Sequence, residues 1–186
     1  MKPRGHLHLA TLACILLTAA PTGPAAAGSI EKEVEVVLLA VSYQKTANSR
    51  YTIAIIHDEG VADWSLRKVY RAMRKNRSLR RKGLKLKAVK IPMDEPDALR
   101  QKLSDAKASA VFIMAGSQMD NAKKIVKLTR RMKLLSIGGE SDFVDQAGAT
   151  LGVKKTGRGY KILINHKGRA KEGVVFDTRL LRLAGK

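Results

Sequence analysis

The sequence predicts a single α/β domain, with a mostly parallel sheet flanked by helices and with a β-hairpin and short helices at its C-terminus. Short apolar, β-branched runs alternate with amphipathic helical patterns over the first three quarters of the chain. That alternation is typical of βαβ units, whose parallel strands are joined by right-handed crossovers. After Asp142 the pattern changes to shorter runs, and no internal repeat or long linker divides the chain. We therefore expect one domain.

The first element, residues 30–42, carries apolar side chains at the i, i+3, i+4, i+7 spacing of an amphipathic helix, although its valines also suit a strand. Buried strands are predicted at residues 51–56 and 108–115, a half-buried strand with an alternating pattern at 84–91, and a short strand at 134–137. Three amphipathic helices are predicted between them, the first at residues 61–75, the second starting within 94–97 with its inner stripe at Leu99, Leu103 and Ala106, and the third at residues 118–132. Pro96, among acidic neighbours, marks the start of the second of these helices.

The C-terminal quarter contains a different set of elements. Residues 142–146 are predicted to form one helical turn. The runs 150–153 and 160–164 flank a basic, glycine-containing loop, which predicts a β-hairpin. Short helices are expected at residues 166–171 and 177–183.

Residues 1–27 have the features of a secretory signal peptide. Lys2 and Arg4 precede a twelve-residue apolar run, and Ala25 to Ala27 give a small-x-small cleavage pattern. The apolar run is too short to span a bilayer, which needs about 20 residues. We expect cleavage after Ala27 and a periplasmic mature protein, with residues 28–186 forming the α/β domain.

Charge and cysteine content narrow the class of protein. The 186 residues include 36 Lys+Arg and 16 Asp+Glu, for a net charge of +20, yet 45% are hydrophobic, which excludes a disordered basic tail. Cleavage after Ala27 would remove two basic residues and Cys14, the single cysteine. The mature chain would then have no disulfide and no cysteine-based zinc site.

The C-terminal residues resemble those of the YfiR-like periplasmic proteins. In that family a strand leads to a short phenylalanine-containing turn, a glycine pair and a hairpin, and then to an Ile-Asn pair, a short helix and a leucine-rich helix. The matching pieces here are Leu135 to Gly138, Asp142-Phe143, Gln146 to Gly148, Ile164-Asn165, Lys171 to Gly173 and Leu180 to Ala184. Ala149 stands where the family has its second glycine.

The resemblance implies an exported α/β regulator, often dimeric. In the best-understood branch, it implies binding to the periplasmic sensor portion of an inner-membrane diguanylate cyclase, which the protein represses. Disulfides tune that activity in some members. A thiol switch does not carry over to this chain, because its mature form would contain no cysteine.

No catalytic constellation is evident, so we expect no enzyme and no cofactor. The Gly-x-Ser-x-Gly nucleophile motif is absent, and the glycines after the predicted strands form neither a Walker loop nor a dinucleotide fingerprint. His57-Asp58-Glu59 could in principle hold a metal, but three adjacent residues cannot all face one ion. We expect no metal there, and a polar loop that caps the next helix explains the triplet better.

Several residues follow predicted strands and could line one crevice at the carboxyl edge of the sheet, where α/β folds bind ligands. They are His57, Asp58, Gly116, Ser117, Gly138 and Gly139. Alternatively, these residues are simply those typical of loops between strands and helices, and they bind no ligand.

Basic residues are concentrated in one acid-free stretch. Twelve Lys/Arg lie between Trp64 and Met93: Arg67, Lys68, Arg71, Arg74, Lys75, Arg77, Arg80, Arg81, Lys82, Lys85, Lys87 and Lys90. The helix at residues 118–132 adds Lys123, Lys124, Lys127, Arg130 and Arg131. Stacked like charges cost stability and favour an acidic partner domain or an anionic surface. General solubility is the alternative.

We therefore expect a regulatory binding protein that contacts a membrane sensor or diguanylate cyclase through Arg67, Arg71, Arg74, Lys75, Lys123, Lys127 and Arg130. Trp64 and Tyr70, the aromatic residues near these charges, are expected at or beside the core, and nucleic acid is not an expected partner. Two alternatives remain open. One is a small-ligand-binding lobe resembling part of a transporter substrate-binding protein, and the other is a polyanion- or membrane-binding protein whose affinity falls steeply with salt.

Overall fold

The computed structural model describes residues 25–45, 50–75, 83–157 and 159–184. The strands are β1 (Arg50–His57), β2 (Lys85–Pro92), β3 (Ala110–Ile113), β4 (Leu135–Gly138), β5 (Leu151–Thr156) and β6 (Gly159–Ile164). The helices are α1 (Ala25–Val41), α2 (Asp63–Lys75), α3 (Pro96–Asp105), α4 (Met119–Met132), α5 (Ser141–Asp145), α6 (His166–Glu172) and α7 (Thr178–Ala184).

The strands form one sheet in the order β2-β1-β3-β4-β5-β6, in which all neighbours are parallel except the last pair. The predicted fold class is confirmed. The ambiguous first element is a helix because Val34, Val37, Leu38 and Val41, at its helical spacing, are all buried. The order 2-1-3 makes the chain reverse direction across the sheet between β1 and β3, which is the usual ligand-binding point of doubly wound folds.

Several predicted boundaries differ from the structure. The third strand is shorter than residues 108–115, although the N–H groups of Ser109 and Met114 still donate to carbonyls of β1. The hairpin strands are longer, because the exposed residues Lys154, Lys155 and Thr156 pair with β6. The sequence prediction followed the apolar residues of β5, and these end three residues before its hydrogen bonds to β6 do.

The sheet separates two apolar cores. On one face, α1, α2 and α7 pack against residues such as Tyr51, Ile53 and Phe112. On the other, α3, α4 and α5 pack against residues such as Ile56 and Val111. Successive strand residues point to opposite faces, so each buried strand contributes to both cores. Consequently α2 and α4, the two basic helices, lie on opposite sides of the molecule.

Most of the predicted signal peptide, residues 1–24, lies outside the described residues. Helix α1 begins at Ala25, two residues before the expected end of the signal peptide, and cleavage after Ala27 stays a prediction. Within the described ranges, no helix has both the length and the apolar character needed to cross a membrane.

Candidate functional site

The residues of the predicted crevice meet at the carboxyl edge of three neighbouring strands. His57 ends β1, Gly138 ends β4, and Gly116 and Ser117 follow β3, which lies between them. The structure therefore brings the loops together. Their individual contacts show that several of these residues have structural roles.

Asp58 connects the end of β1 to the start of α4. Its side chain is buried, and its Oδ2 accepts a hydrogen bond from the backbone N–H of Gln118 at 2.7 Å. The prediction that this loop caps the next helix was wrong, because the carboxylate bonds to the residue before α4 and not to α2. Its Oδ1 and the hydroxyl of Ser117 are buried without a hydrogen-bond partner among the described residues. The half-buried ring of His57 lies next to Asp58, and its Nδ1 is 3.4 Å from the Asp58 carbonyl oxygen.

The glycines at this edge allow two loops to approach closely. A Cβ on Gly139 would lie 2.6 Å from the carbonyl oxygen of Ile113, and one on Gly138 would lie 2.9 Å from that of Glu140. Gly116 has a φ of +84°, and its N–H donates to Glu140 Oε1 at 2.7 Å. These glycines hold the exit loops of β3 and β4 together.

An open cavity lies beside these loops, shifted away from His57 toward β5. It has a volume of about 310 Å³ and is lined by Glu33, Ala115, Gly139, Glu140, Ser141, Asp142, Val153, Lys154 and Lys155. A small apolar cavity of about 30 Å³ shares part of this wall and extends beneath α1. Sequence reasoning missed Glu33, Lys154 and Lys155, because α1 and the hairpin must first be placed on the sheet.

Helix α2 presents a mixed basic and aromatic surface. Trp64 is 51% exposed, which contradicts its expected position at or beside the core, and Lys68 lies over its ring at 5.0 Å. Tyr70 is half-buried, with Arg74 and Lys90 both near its ring, at 5.8 and 5.5 Å.

The remaining charges of α2 differ in their pairing. Arg67 pairs with Asp63 at 2.5 Å, whereas Arg71, Arg74 and Lys75 are exposed and form no ion pair among the described residues. The predicted basic residues Arg77, Arg80, Arg81 and Lys82 lie outside the described residues.

The basic residues of α4 form a separate surface. Lys123 pairs with Asp120 at 3.6 Å, and Lys127 is exposed. Arg130 is half-buried, and its Nη2 donates to the Gly148 carbonyl at 2.9 Å. Arg130 therefore anchors the loop after α5. The predicted set of partner-binding residues is divided by the sheet, so one flat partner cannot contact all of it at once.

A buried carboxylate network was not anticipated from the sequence. Glu172 is 1% exposed and accepts hydrogen bonds from the N–H and hydroxyl of Ser136, with the hydroxyl of Thr129 at 2.9 Å. Burial raises the pKa of Tyr51, and the negative charge of Glu172 raises it further. The hydroxyl of Tyr51 donates to Gln44. An acid in a Lys-Glu-Gly segment gives no local sign of such burial, since its partners come from distant elements.

No group of three or more His, Cys, Asp or Glu side chains that could hold a metal ion occurs in the part of the chain that the structure describes. The described part of the carboxyl edge contains loop-bracing hydrogen bonds and an open polar cavity.

Fold and site together define a doubly wound α/β domain with a crevice at the carboxyl edge of its sheet. A profile of the YfiR/HmsC-like family matches residues 41–185, and the chain belongs to that family. The family is regulatory rather than catalytic, and its members are periplasmic.

Comparison with other proteins adds the fold alone. No curated protein matches the chain significantly. Eleven chains of solved structures match, among them an ABC domain from Streptococcus pneumonia in complex with L-Trp, at 14% identity and a TM-score of 0.55. That alignment covers 84% of this chain but 60% of the other, so this chain spans about three fifths of that protein's length.

The residues that carry the family resemblance have structural roles here. Phe143 is buried in the core against α3 and α4. Asn165 caps α6, its Oδ1 accepting from the N–H of Gly168 at 2.9 Å, and its Nδ2 donates to Gly148. Glu172 joins α6 to β4. The shared motif therefore reflects how the C-terminal elements are fastened to the sheet.

Proposed function

We propose that this protein is an exported regulator that binds the periplasmic portion of a membrane sensor, a diguanylate cyclase by the family precedent, and changes its output. The observation that carries the proposal is the YfiR/HmsC-like match over residues 41–185. The predicted signal peptide supports export, and the regulatory character of the family supports action by contact.

The exposed surface of α2 is the docking surface we favour. It combines Trp64 with the unpaired cations Arg71, Arg74 and Lys75. Tryptophan and arginine are enriched at the centres of protein interfaces, whereas a purely lysine-rich face is typical of solvent-exposed surfaces. An acidic partner domain would complement the positive field and increase the association rate.

The signal that controls this regulator is not a thiol switch. Cys14 lies within the predicted signal peptide, and the rest of the chain has no cysteine. We therefore expect that no thiol chemistry of this chain controls its binding to the partner, and that reducing agents leave the interaction unchanged.

A capture experiment from solubilised membranes tests this proposal. The wild-type protein should recover a sensor or diguanylate cyclase, and adding it to the recovered cyclase should change the rate of cyclic dinucleotide synthesis. The triple variant R71E/R74E/K75E should lose capture. Its control is K123E/K124E/K127E, which makes the same charge change on the opposite face of the sheet.

Two results would contradict parts of the proposal. Membranes that yield no sensor or cyclase would contradict the regulatory role. Equal capture by both triple variants would leave the role in place and exclude α2 as the docking surface. Circular dichroism of each variant confirms that the domain remains folded.

A second candidate function is small-ligand binding at the carboxyl edge of the sheet. The open cavity of about 310 Å³ there carries both Glu140 and the lysines Lys154 and Lys155. Such mixed charge suits a small polar molecule. Thermal shifts with a metabolite panel test it, and a hit should disappear in K154Q/K155Q but persist in R71Q/R74Q.

A further inference from the structure

A third cavity, intermediate in volume, lies on the face of the sheet opposite α2, between the start of α3 and one side of α4. Its volume is about 160 Å³, and it is lined by Pro96, Lys124, Lys127, Leu128 and Arg131. Three of these five residues carry a positive charge. The cavity is separate from both the carboxyl-edge crevice and the α2 surface.

The three cations share one side of α4. Lys124, Lys127 and Arg131 are spaced three and four residues apart, which aligns them along the helix. All three are exposed, and none forms an ion pair or hydrogen bond with another described residue. Their basic neighbours on the same helix differ, since Lys123 pairs with Asp120 and Arg130 bonds to the Gly148 carbonyl.

Holding three like charges together without a counterion costs free energy. The floor of the cavity cannot supply an anion, because Leu128 is apolar and 5% exposed. Glu95 and Asp97, at the start of α3, form no ion pair with the three cations in the described part of the chain. The three positive charges can therefore be neutralised by an anion from solution.

The first turn of α3 contributes Pro96 to the wall of the cavity. Pro96 occupies its first position, and no side chain caps the N–H groups that follow. The unpaired N–H groups at a helix start carry a partial positive charge. These N–H groups offset part of the negative charge that Glu95 and Asp97 bring to the helix start. The positive charge of the cavity itself comes from Lys124, Lys127 and Arg131.

We propose that this cavity binds a phosphate group. Arg131 offers a planar fork of donors that matches phosphate oxygens, and Lys124 and Lys127 add two point charges. The cavity is open to solvent, so the phosphate can belong to a free phosphate ester or to a phospholipid headgroup. The site lies away from α2 and does not depend on the docking function.

Isothermal titration calorimetry of the purified protein with inorganic phosphate and with glycerol 3-phosphate tests the site, with chloride holding the ionic strength constant. We expect saturable binding of one phosphate per chain. K127Q and R131Q should each lower the association constant by about tenfold, the effect of one lost charge-assisted hydrogen bond. K123Q and R71Q remove the same charge elsewhere and should change it less than about twofold.

Thermal stability provides a readout that distinguishes binding from folding. Without phosphate, K127Q and R131Q should be at least as stable as the wild type, because they relieve repulsion. With phosphate, the wild type and K123Q should gain stability and the two cavity variants should not. Cavity variants that lose stability in both conditions would mean a structural role and overturn the proposal.

Vesicles distinguish the two sources of phosphate. Co-sedimentation with phosphatidylglycerol vesicles, against phosphatidylcholine vesicles, should fall in K127Q/R131Q and stay unchanged in R71Q/R74Q if the ligand is a headgroup. Binding of soluble phosphate without vesicle binding identifies a free ester. Two outcomes would overturn the proposal. One is an equal loss of vesicle binding in both double variants, which would indicate general surface electrostatics, and the other is no binding of either soluble phosphate or vesicles.

Discussion

The carboxylate of Glu172 accepts both hydrogen-bond donors of Ser136, one oxygen lying 3.0 Å from the backbone nitrogen and the other 2.6 Å from Oγ. Ser136 belongs to β4 and Glu172 ends α6. The Ser136 hydroxyl in turn accepts from the N–H of Thr150 at 2.9 Å, just before β5. One buried acid therefore joins a strand, a helix and a loop that lie far apart in the chain.

Removing this pairing should destabilise the domain. S136A deletes a donor to the buried carboxylate and the acceptor for the Thr150 N–H, so we expect a loss of about 2 kcal/mol in the free energy of unfolding. E172Q keeps the side-chain volume but replaces one acceptor oxygen by an NH2 group, which would face the N–H or hydroxyl donors of Ser136 and Thr129. We expect the free energy of unfolding to fall by about 1–3 kcal/mol. Urea denaturation followed by circular dichroism measures both.

The matched control is E35Q, on the surface of α1. Glu35 forms a pair with Lys32 at 3.3 Å, and both side chains are more than half exposed. Its loss should stay below about 0.5 kcal/mol. If S136A and E35Q unfolded at the same urea concentration, the network would contribute nothing to stability.

The order of elements could be predicted from the sequence because each element has its own local pattern. The placement of the basic helices could not. Helix α2 follows β1 and α4 follows β3, and both present the same amphipathic pattern with buried residues such as Val69 and Ile125. Which face each helix covers depends on the strand order 2-1-3, and that order is set by contacts between strands distant in sequence.

The same limit applies to the candidate sites. Gly139 and Ser117 could be placed at strand ends from sequence, because parallel strands share one carboxyl edge. Their surroundings required the fold, since Glu33 and Lys154 reach the cavity from α1 and β5. Likewise, Lys123 and Lys127 look alike in sequence, and the structure alone separates the paired lysine from the one that lines a cavity.

Gly139 should not tolerate a side chain. In G139A the new Cβ would meet the carbonyl oxygen of Ile113 at 2.6 Å and the amide nitrogen of Ala115 at 2.7 Å, both of which are backbone atoms and cannot move aside cheaply. We expect a loss of about 1–3 kcal/mol in the free energy of unfolding. Thermal or urea denaturation of the purified variant measures it.

G60A is the control for that experiment. A Cβ on Gly60 has no atom within 4 Å, so the substitution should leave stability within about 0.5 kcal/mol of wild type. A G139A protein as stable as G60A would mean that the two exit loops can separate without cost.

Trp64 should contribute to partner binding more than to folding. Half of its surface is exposed, and it lies beside Lys68 on the docking surface we propose. W64A should lower partner affinity by about 30-fold, the effect of a loss of about 2 kcal/mol at an interface centre, while the midpoint of unfolding changes little. Surface plasmon resonance against the captured partner measures it.

L183A is the matched control, since Leu183 is 59% exposed on α7, away from the docking surface. It should leave affinity unchanged. Equal affinities for W64A and wild type would exclude Trp64 from the interface, and a large fall in the unfolding midpoint of W64A would assign the residue to folding.

Asp177 should make the stability of the domain depend on acidic pH. The side chain of Arg179 hydrogen-bonds to its carboxylate at 3.1 Å and, with the Arg179 backbone N–H, lowers the pKa of Asp177 from 3.8 to about 2. The folded state therefore favours the charged form. The stabilisation is fully present above pH 3.8 and is lost as the pH falls through about 2. D177N should be less stable than wild type at neutral pH, and the difference should shrink between pH 4 and pH 2.

D145N removes an exposed carboxylate that forms no ion pair among the described residues, so its difference from wild type should be small at neutral pH. Urea midpoints across this range test the prediction, and a D177N deficit that persisted undiminished at pH 2 would show that the effect of Asp177 is not the charge of its carboxylate.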